Sequence, residues 1–363
     1  MIKTIADNFT INGDFLSSKP FGSGHINDTR LVTFIDAGNE VNYIFRKINK
    51  IVFKNPETVV NNTLLVTNHI RNKLEQENEN DILRNVVTLV QAKDGKYIYV
   101  DETGGYWSVI LFIKDAYTVD FVNAIDQAYE ASKAFGKFTK QLIDIDISKI
   151  NETIPNYHNL VNRLQTFDNS VKTDTAGRVE LVSKEIIAVD KNRSLQENIN
   201  ILLGSGAIPL RIVHSDTKIN NVMLDDKTGK GLAVIDLDTV MPGTVLFDFG
   251  DMVRSFTSPV EEDEADIQKV KMQINIFKAI LKGYLSELKN VLTVAEIENL
   301  VYGAEVIVYE QAVRFLTDYI MGDVYYSTAF EDHNLIRARN QFALLDSIQE
   351  QKEEMEEIIK KYI

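Results

Sequence analysis

A chain of 363 residues, 44% hydrophobic and 25% charged, has ordinary globular composition and the length of two domains with a core each. It has no cysteine, which excludes disulfides, thiolate nucleophiles and cysteine-held zinc, and its five histidines form no HExxH pair, which argues against a zinc hydrolase. A formal net charge of −14 argues against sequence-independent nucleic-acid binding, which depends on neutralising phosphates, and no apolar run approaches the roughly 18–20 residues that span a bilayer.

The opening MIKTIADNFTING is polar throughout and lacks the apolar stretch of a signal peptide, so a soluble, cytoplasmic protein is expected. From about 10 to 113 the pattern is β-rich, with strands expected over 31–36, 41–48, 86–92, 96–100 and 106–113 and turns at 37–40 and 92–96. One helix interrupts them, 56–76, opened by Asn55 as cap and Pro56 at its first position. After 120 the spacing turns helical. Helices are expected over 120–142, from Ser258 (with Pro259 first and Glu261 closing a capping box), over 308–320 and from 333 to the end. Strands near 207–213 and 232–237 are the exceptions. The order implies an α+β protein: an antiparallel β-rich N-lobe with one helix, 1–113, then a larger, mostly helical C-lobe, 114–363. A cleft between two such lobes is a natural ligand site.

Several polar groups stand out on this frame. Gly22 and Gly24 form a GxG in KPFGSGHINDT, where glycines let backbone N–H groups approach phosphate; Asn27 stands where a third glycine would. Arg46 and Lys47 end the strand YIFRKI, where either cation can reach phosphates from the β lobe. HSDTKINN (214–221) offers His214, Asp216 and Asn221, and IDLD (235–238) offers Asp236. Asn221 and Asp236 are hard oxygen donors of the kind magnesium takes alongside substrate phosphates, which leaves Asp216 as a base for an acceptor hydroxyl. An Asx-turn explains Asp225–Lys230 but not those three polar residues together. Downstream, 241–256 adds Asp248, Asp251 and Arg254. The stretch 309–326 adds Glu310, Arg314, Asp318, Asp323, Tyr325 and Tyr326, with Arg314 and Asp318 spaced as a surface pair and tyrosines beside polar groups as in a sugar site.

HSDTKINN resembles the HxDxxxxN catalytic loop of the aminoglycoside-phosphotransferase and choline-kinase-like superfamily, and IDLD is similar to its metal-binding segment. FGSGHINDT, IDLDTVMPGTVLFDFGD, and RFLTDYIMGDVYY followed by HNLIRARNQ look like N-acetylhexosamine 1-kinases. The resemblance covers nearly the whole chain, and DLDTVMPG with FDFGD is its most specific part. It implies a protein-kinase-like two-lobe fold, ATP and Mg²⁺ as co-substrate and metal, and phosphorylation of the anomeric hydroxyl of N-acetylglucosamine or N-acetylgalactosamine. Carried over by motif, Asp216 is the catalytic base, Asn221 and Asp236 are metal ligands, and Asp238 serves the metal or the sugar. Gly22, Gly24 and His25 lie over the ATP phosphates, Arg46 beside them, and Phe112, Ile113 and Lys114 at the adenine. Thr217, Lys218, Arg254, Arg314 and Tyr325 hold the acceptor, and His214 braces the loop. The partners implied are ATP and a small sugar, with no nucleic acid, membrane or obligate protein partner. One departure stands out. Protein kinases pair a strand lysine with a glutamate on the first helix, whereas the helix centre here, NNTLLVTN, carries no acid. Two alternatives stay open: a kinase for another acceptor (an aminoglycoside, choline or homoserine) and a non-catalytic binding module.

Overall fold

The computed structural model describes residues 2–22 and 26–363 and divides into two compact units. One comprises Met1–Tyr117, Gln141–Pro155 and Met223–Pro242; the other comprises Thr118–Lys140, Asn156–Val222 and Gly243–Ile363.

The first unit is built on an antiparallel five-stranded sheet in the order β1-β2-β3-β5-β4, with β1 Asp14–Pro20, β2 Asp28–Asp36, β3 Asn39–Ile48, β4 Tyr99–Val100 and β5 Tyr106–Leu111. Asp36 pairs with Asn39 across a two-residue turn. Ala37 and Gly38 both take positive φ (48° and 84°), the turn geometry that matches strand twist. Alternation sends Val32, Phe34, Phe45, Trp107 and Val109 to one face, where they bury with Phe9. Ile48 faces the other way and packs with Phe53, Val59, Val60 and Ile98. Val59 and Val60 come from the helix Pro56–Gln76, which Asn55 caps by accepting from the Thr58 N–H. Asn62 in that helix donates to the carbonyls of Asn151 (2.7 Å) and Val240 (2.9 Å) and accepts from the Asn151 N–H. Those bonds tie 141–155 and 223–242 into this unit, far along the chain from its sheet. The expected strand 86–92 is not one: it makes only the bridges Leu89–Ile110 and Phe9–Ala92. β4 already occupies that edge of β5 at Tyr106 and Trp107, which leaves only its far end for pairing. The strands expected over 96–100 and 232–237 shorten to Tyr99–Val100 and Gly231–Val234.

The second unit is helical and centred on Leu300–Ile320, of which 19 of 21 residues are buried; a helix buried on nearly every side lies in a core. It packs against Leu160–Thr173, Val245–Phe256 and His333–Glu350. Gly250 and Gly303 meet where Val245–Phe256 crosses it, and a Cβ at either would strike backbone of the facing helix. No α-helix starts at Ser258. The next begins at Ile274, and Ser258 instead exchanges hydrogen bonds with Val260. The tertiary structure claims the segment: Asn340 Nδ2 takes the carbonyls of Glu261 and Glu264, and Glu262 pairs with Arg254. Among the described residues no helix is long and apolar enough to cross a membrane.

Candidate active site

The second unit carries the HSDTKINN loop. The strand Arg211–Val213 delivers His214, which is fully buried and lies edge-on to Phe135 and Phe138. Ser215 then turns into the left-handed region (φ 66°), a strained position for a residue with a Cβ. Asp248, in the first turn of Val245–Phe256, braces that turn. Its two carboxylate oxygens accept the N–H groups of His214 (2.9 Å) and Ser215 (2.8 Å), while Thr217 Oγ1 donates to the Asp248 carbonyl (2.6 Å). Asp216 emerges part-buried. Asn221 Nδ2 donates to its carbonyl (2.8 Å) and its Oδ2 (3.1 Å), and Lys218 Nζ stands 3.3 Å from its Oδ1. Burial pushes the Asp216 carboxyl up, but Lys218, His214 and Arg254 together hold it below the usual carboxylate range. It is therefore ionised at neutral pH. With its amide nitrogen turned to Asp216, Asn221 keeps an oxygen as its acceptor end.

The acceptor-side candidates fall into three groups. Thr217 is fully buried and engaged with Asp248. Arg254 is spent on two carboxylates, Asp251 (2.8 Å) and Glu262 (2.5 Å). Arg314 differs. Its guanidinium lies over the rings of Tyr157 (5.3 Å) and Tyr326 (5.5 Å) and donates to Gln311 Oε1 (3.0 Å), and among the described residues it forms no ion pair; Glu310 and the phenol oxygens act on it at longer range. Tyr157 is within electrostatic reach of both Arg314 and Asp216. The surface pair expected of Arg314 with Asp318 does not form. Asp318 is buried and accepts the N–H groups of Val324, Tyr325 and Tyr326 (2.8–2.9 Å) and an amide hydrogen of Asn334. It thereby fixes the loop that presents Tyr325, which is 54% exposed and edge-on to Tyr326.

The first unit carries the other candidates. Strand alternation separates Arg46 from Lys47. Lys47 pairs with Asp101 and lies over Trp107. Arg46, opposite Ser108, is buried and donates to Asp238, with Asp236 at 3.6 Å. Burial works against its charge, but Asp238 and Asp236 hold Arg46 above the usual guanidinium range. The acid absent from the helix is thus supplied by IDLD itself. Asp238 is 2% exposed and is held also by Asn27 Nδ2 (2.7 Å), whose oxygen accepts the Asn49 N–H (3.0 Å). Asp236 is different: its side chain is 49% exposed and its φ is 56°. Gly22 has φ 84° with open space around it; Gly24 and His25 lie outside the described residues. At the exit of β5 the Phe112 N–H is taken by the Asn42 carbonyl, the Lys114 carbonyl by Arg84, and Phe112 packs edge-on to Phe21. Ile113 is buried.

Among the described residues no three His, Asp or Glu side chains gather to hold a metal by themselves. Mg²⁺ that arrives with phosphates needs only one or two protein oxygens; the first unit offers the half-exposed carboxylate of Asp236, and the second offers the amide oxygen of Asn221. The sequence carries no sign of Tyr157 or His158, marks Asn27 only as standing where a third glycine would, and leaves Asp248, Asp318 and Glu310 without roles. A signal existed for Asp248, an acid in a first helical turn two residues before a glycine; none marked His158, 57 residues before the Ser215 it touches.

Residues 18–271 match the model of the phosphotransferase enzyme family, APH. An uncharacterised kinase-like protein of Caenorhabditis elegans is 31% identical over 146 residues, which span 36% of this chain and 36% of that relative. Among solved structures, a microcompartment-associated aminopropanol kinase is similar over 98% of this chain and 97% of its own, with a TM-score of 0.66 at 16% identity. A spectinomycin phosphotransferase in complex with ADP and spectinomycin is similar over 99% and 97%, with a TM-score of 0.53 at 13% identity. At these identities the likeness is one of fold: a kinase-like two-lobe fold with an antiparallel β-sheet N-lobe and a helical C-lobe.

Proposed function

The chain belongs to the phosphotransferase enzyme family, and from that premise we propose that it is a small-molecule kinase that transfers the γ-phosphoryl group of ATP to the anomeric hydroxyl of an N-acetylhexosamine. Asp216 orients the hydroxyl and accepts its proton late. An anomeric hydroxyl is more acidic than an ordinary alcohol, so a carboxylate held at low pKa suffices, and most of the rate comes from positioning and electrostatics. Lys218, beside Asp216, stands ready for charge on the transferring group. Asn221 and Asp236 would hold Mg²⁺, which when bound offsets charge on the phosphate oxygens. Arg46 takes the place of the kinase strand lysine at the ATP phosphates, with Gly22, Gly24 and His25 as the covering loop and Phe112 to Lys114 at the adenine.

The observation that carries the acceptor class is Arg314. Aromatic faces bind quaternary and primary ammonium groups well, but the faces of Tyr157 and Tyr326 are already covered by a guanidinium. That arrangement repels choline-like and amino-alcohol acceptors and favours a neutral one rich in hydroxyl and carbonyl oxygens. Tyr325 adds the apolar surface a sugar ring needs. The binding-module alternative rested on a missing acidic partner for the strand cation, and Asp238 fills that place. The test is an ATP-consumption assay over N-acetylhexosamines, simple hexoses, aminoglycosides, homoserine and amino alcohols. Turnover is expected with N-acetylhexosamines above all others; preference for an amino alcohol would overturn the acceptor assignment.

A further inference from the structure

We propose that His158 is a positioning residue for phosphoryl transfer: it holds the carbonyl of Ser215 and so fixes the peptide plane that aims Asp216. The inference rests on the reading of Asp216 as the residue that meets the acceptor hydroxyl.

The Ser215–Asp216 peptide is held at both ends by imidazoles. His158 Nε2 is 3.2 Å from the Ser215 carbonyl oxygen, and the Asp216 N–H donates to His214 Nδ1 (3.3 Å). A strained φ persists only where the surroundings over-determine it, and at Ser215 they do. Asp248 fixes the N–H on one side of the residue, and His158 fixes the carbonyl on the other. The His158 ring is itself held by Tyr157 and Phe247, at centroid distances of 4.5 and 5.1 Å. Its Nδ1 lies 3.3 Å from Glu310 Oε1. The Ser215 carbonyl can only accept, so Nε2 is the donor to it, and Nδ1 is the ring nitrogen that faces the Glu310 carboxylate.

Glu310 is the second, independent sign. It comes from the central helix, is 2% exposed, and its Oε2 has no hydrogen-bond partner among the described residues. A buried carboxylate with an unmet oxygen is costly, and Arg163, at 3.7 Å, is an incomplete remedy. What the carboxylate accomplishes is the orientation of His158. The line Glu310–His158–Ser215 carbonyl therefore runs from the core of the helical unit to the backbone of the catalytic loop.

The test compares H158Q with H158M. Both side chains fill similar volume, but only glutamine can donate to the Ser215 carbonyl. With KM for ATP held near the wild-type value, kcat of H158M is expected to fall about 10- to 100-fold, the effect of an ångström-scale misplacement, while H158Q keeps most of it. Crystal structures of both variants provide a readout that needs no substrate. In H158M, Ser215 should leave its φ of 66° and Asp216 should lose the 3.1 Å contact with Asn221; in H158Q both should stay. Equal kcat in the two variants, or an unmoved Ser215 peptide in H158M, would overturn the proposal. If no acceptor is phosphorylated by the wild type, the function reading fails, and the structures alone still decide whether His158 holds the peptide.

Discussion

Substituting Asp238 tests how much of the first unit rests on one buried ion pair. Asp238 is 2% exposed and Arg46 9%. Removing one partner of such a pair leaves the other charge buried and uncompensated, at a cost of about 3–5 kcal/mol. In Asp238→Ala, Asp236 remains 3.6 Å from the guanidinium and half exposed, so it offsets part of that cost, and the lower end, about 3 kcal/mol, is expected. With a urea m-value of roughly 1–3 kcal/mol/M, the unfolding midpoint drops by about 1–3 M. Trp107 is the chain's one tryptophan, fully buried in this unit and donating to Asp101, so its fluorescence follows the transition. The companion double variant Arg46→Met/Asp238→Leu has no stranded charge and should recover most of the loss, because replacing both partners of a buried pair by apolar groups is often close to neutral. A midpoint in Asp238→Ala within about 0.3 M of the parent, or a double variant less stable than the single, would refute the reasoning. The double variant should nonetheless use ATP poorly, since Arg46 is assigned to its phosphates.

Asp216→Asn is expected to cut kcat by at least about a hundredfold while ATP affinity, read by calorimetric titration, stays near normal. The pH dependence has a definite sign. Asp216 has its pKa depressed in the fold, so its contribution is complete above the unfolded value of about 3.9 and is lost as pH falls through the lower folded value. Lys218→Met removes the first of the cations that depress it and should move the acid limb of kcat to higher pH; an unmoved limb would count against the pairing. Arg314→Gln uncovers Tyr157 and Tyr326, so discrimination between N-acetylhexosamines and amino alcohols should narrow by about tenfold in kcat/KM with KM for ATP unchanged. Asp318→Ala strands three backbone N–H groups and should raise KM for the acceptor severalfold; a change confined to KM for ATP would contradict its role under Tyr325.

Local signals in this sequence were read where local energy decides. The cap–proline start of Pro56–Gln76 and the turn at Ala37–Gly38 follow from backbone chemistry within four residues, and both formed as expected. Ser258-Pro259 carries an equally good helix start, yet Asn340 takes the carbonyls of Glu261 and Glu264, and Arg254 holds the neighbouring Glu262 carboxylate. The segment 86–92 has strand composition, but β4 holds part of the β5 edge and leaves it only the far end, where it forms the single bridge Leu89–Ile110. The site divides the same way. HxDxxxxN and IDLD are compact motifs, whereas the partner of Arg46 lies 192 residues away at Asp238. A reader looking for a helix glutamate had no reason to find it there. The roles of Asp248, Asp318 and His158 are bonds to backbone atoms, which leave no trace in residue spacing.

Phosphorus-31 NMR of the product formed from ATP and an N-acetylhexosamine, by wild type and by Asp216→Asn side by side, tests the central claim most directly. The account predicts a phosphate coupled to the anomeric proton with wild type and almost none with the variant. A phosphate on another sugar oxygen, or equal product from the two proteins, would contradict it.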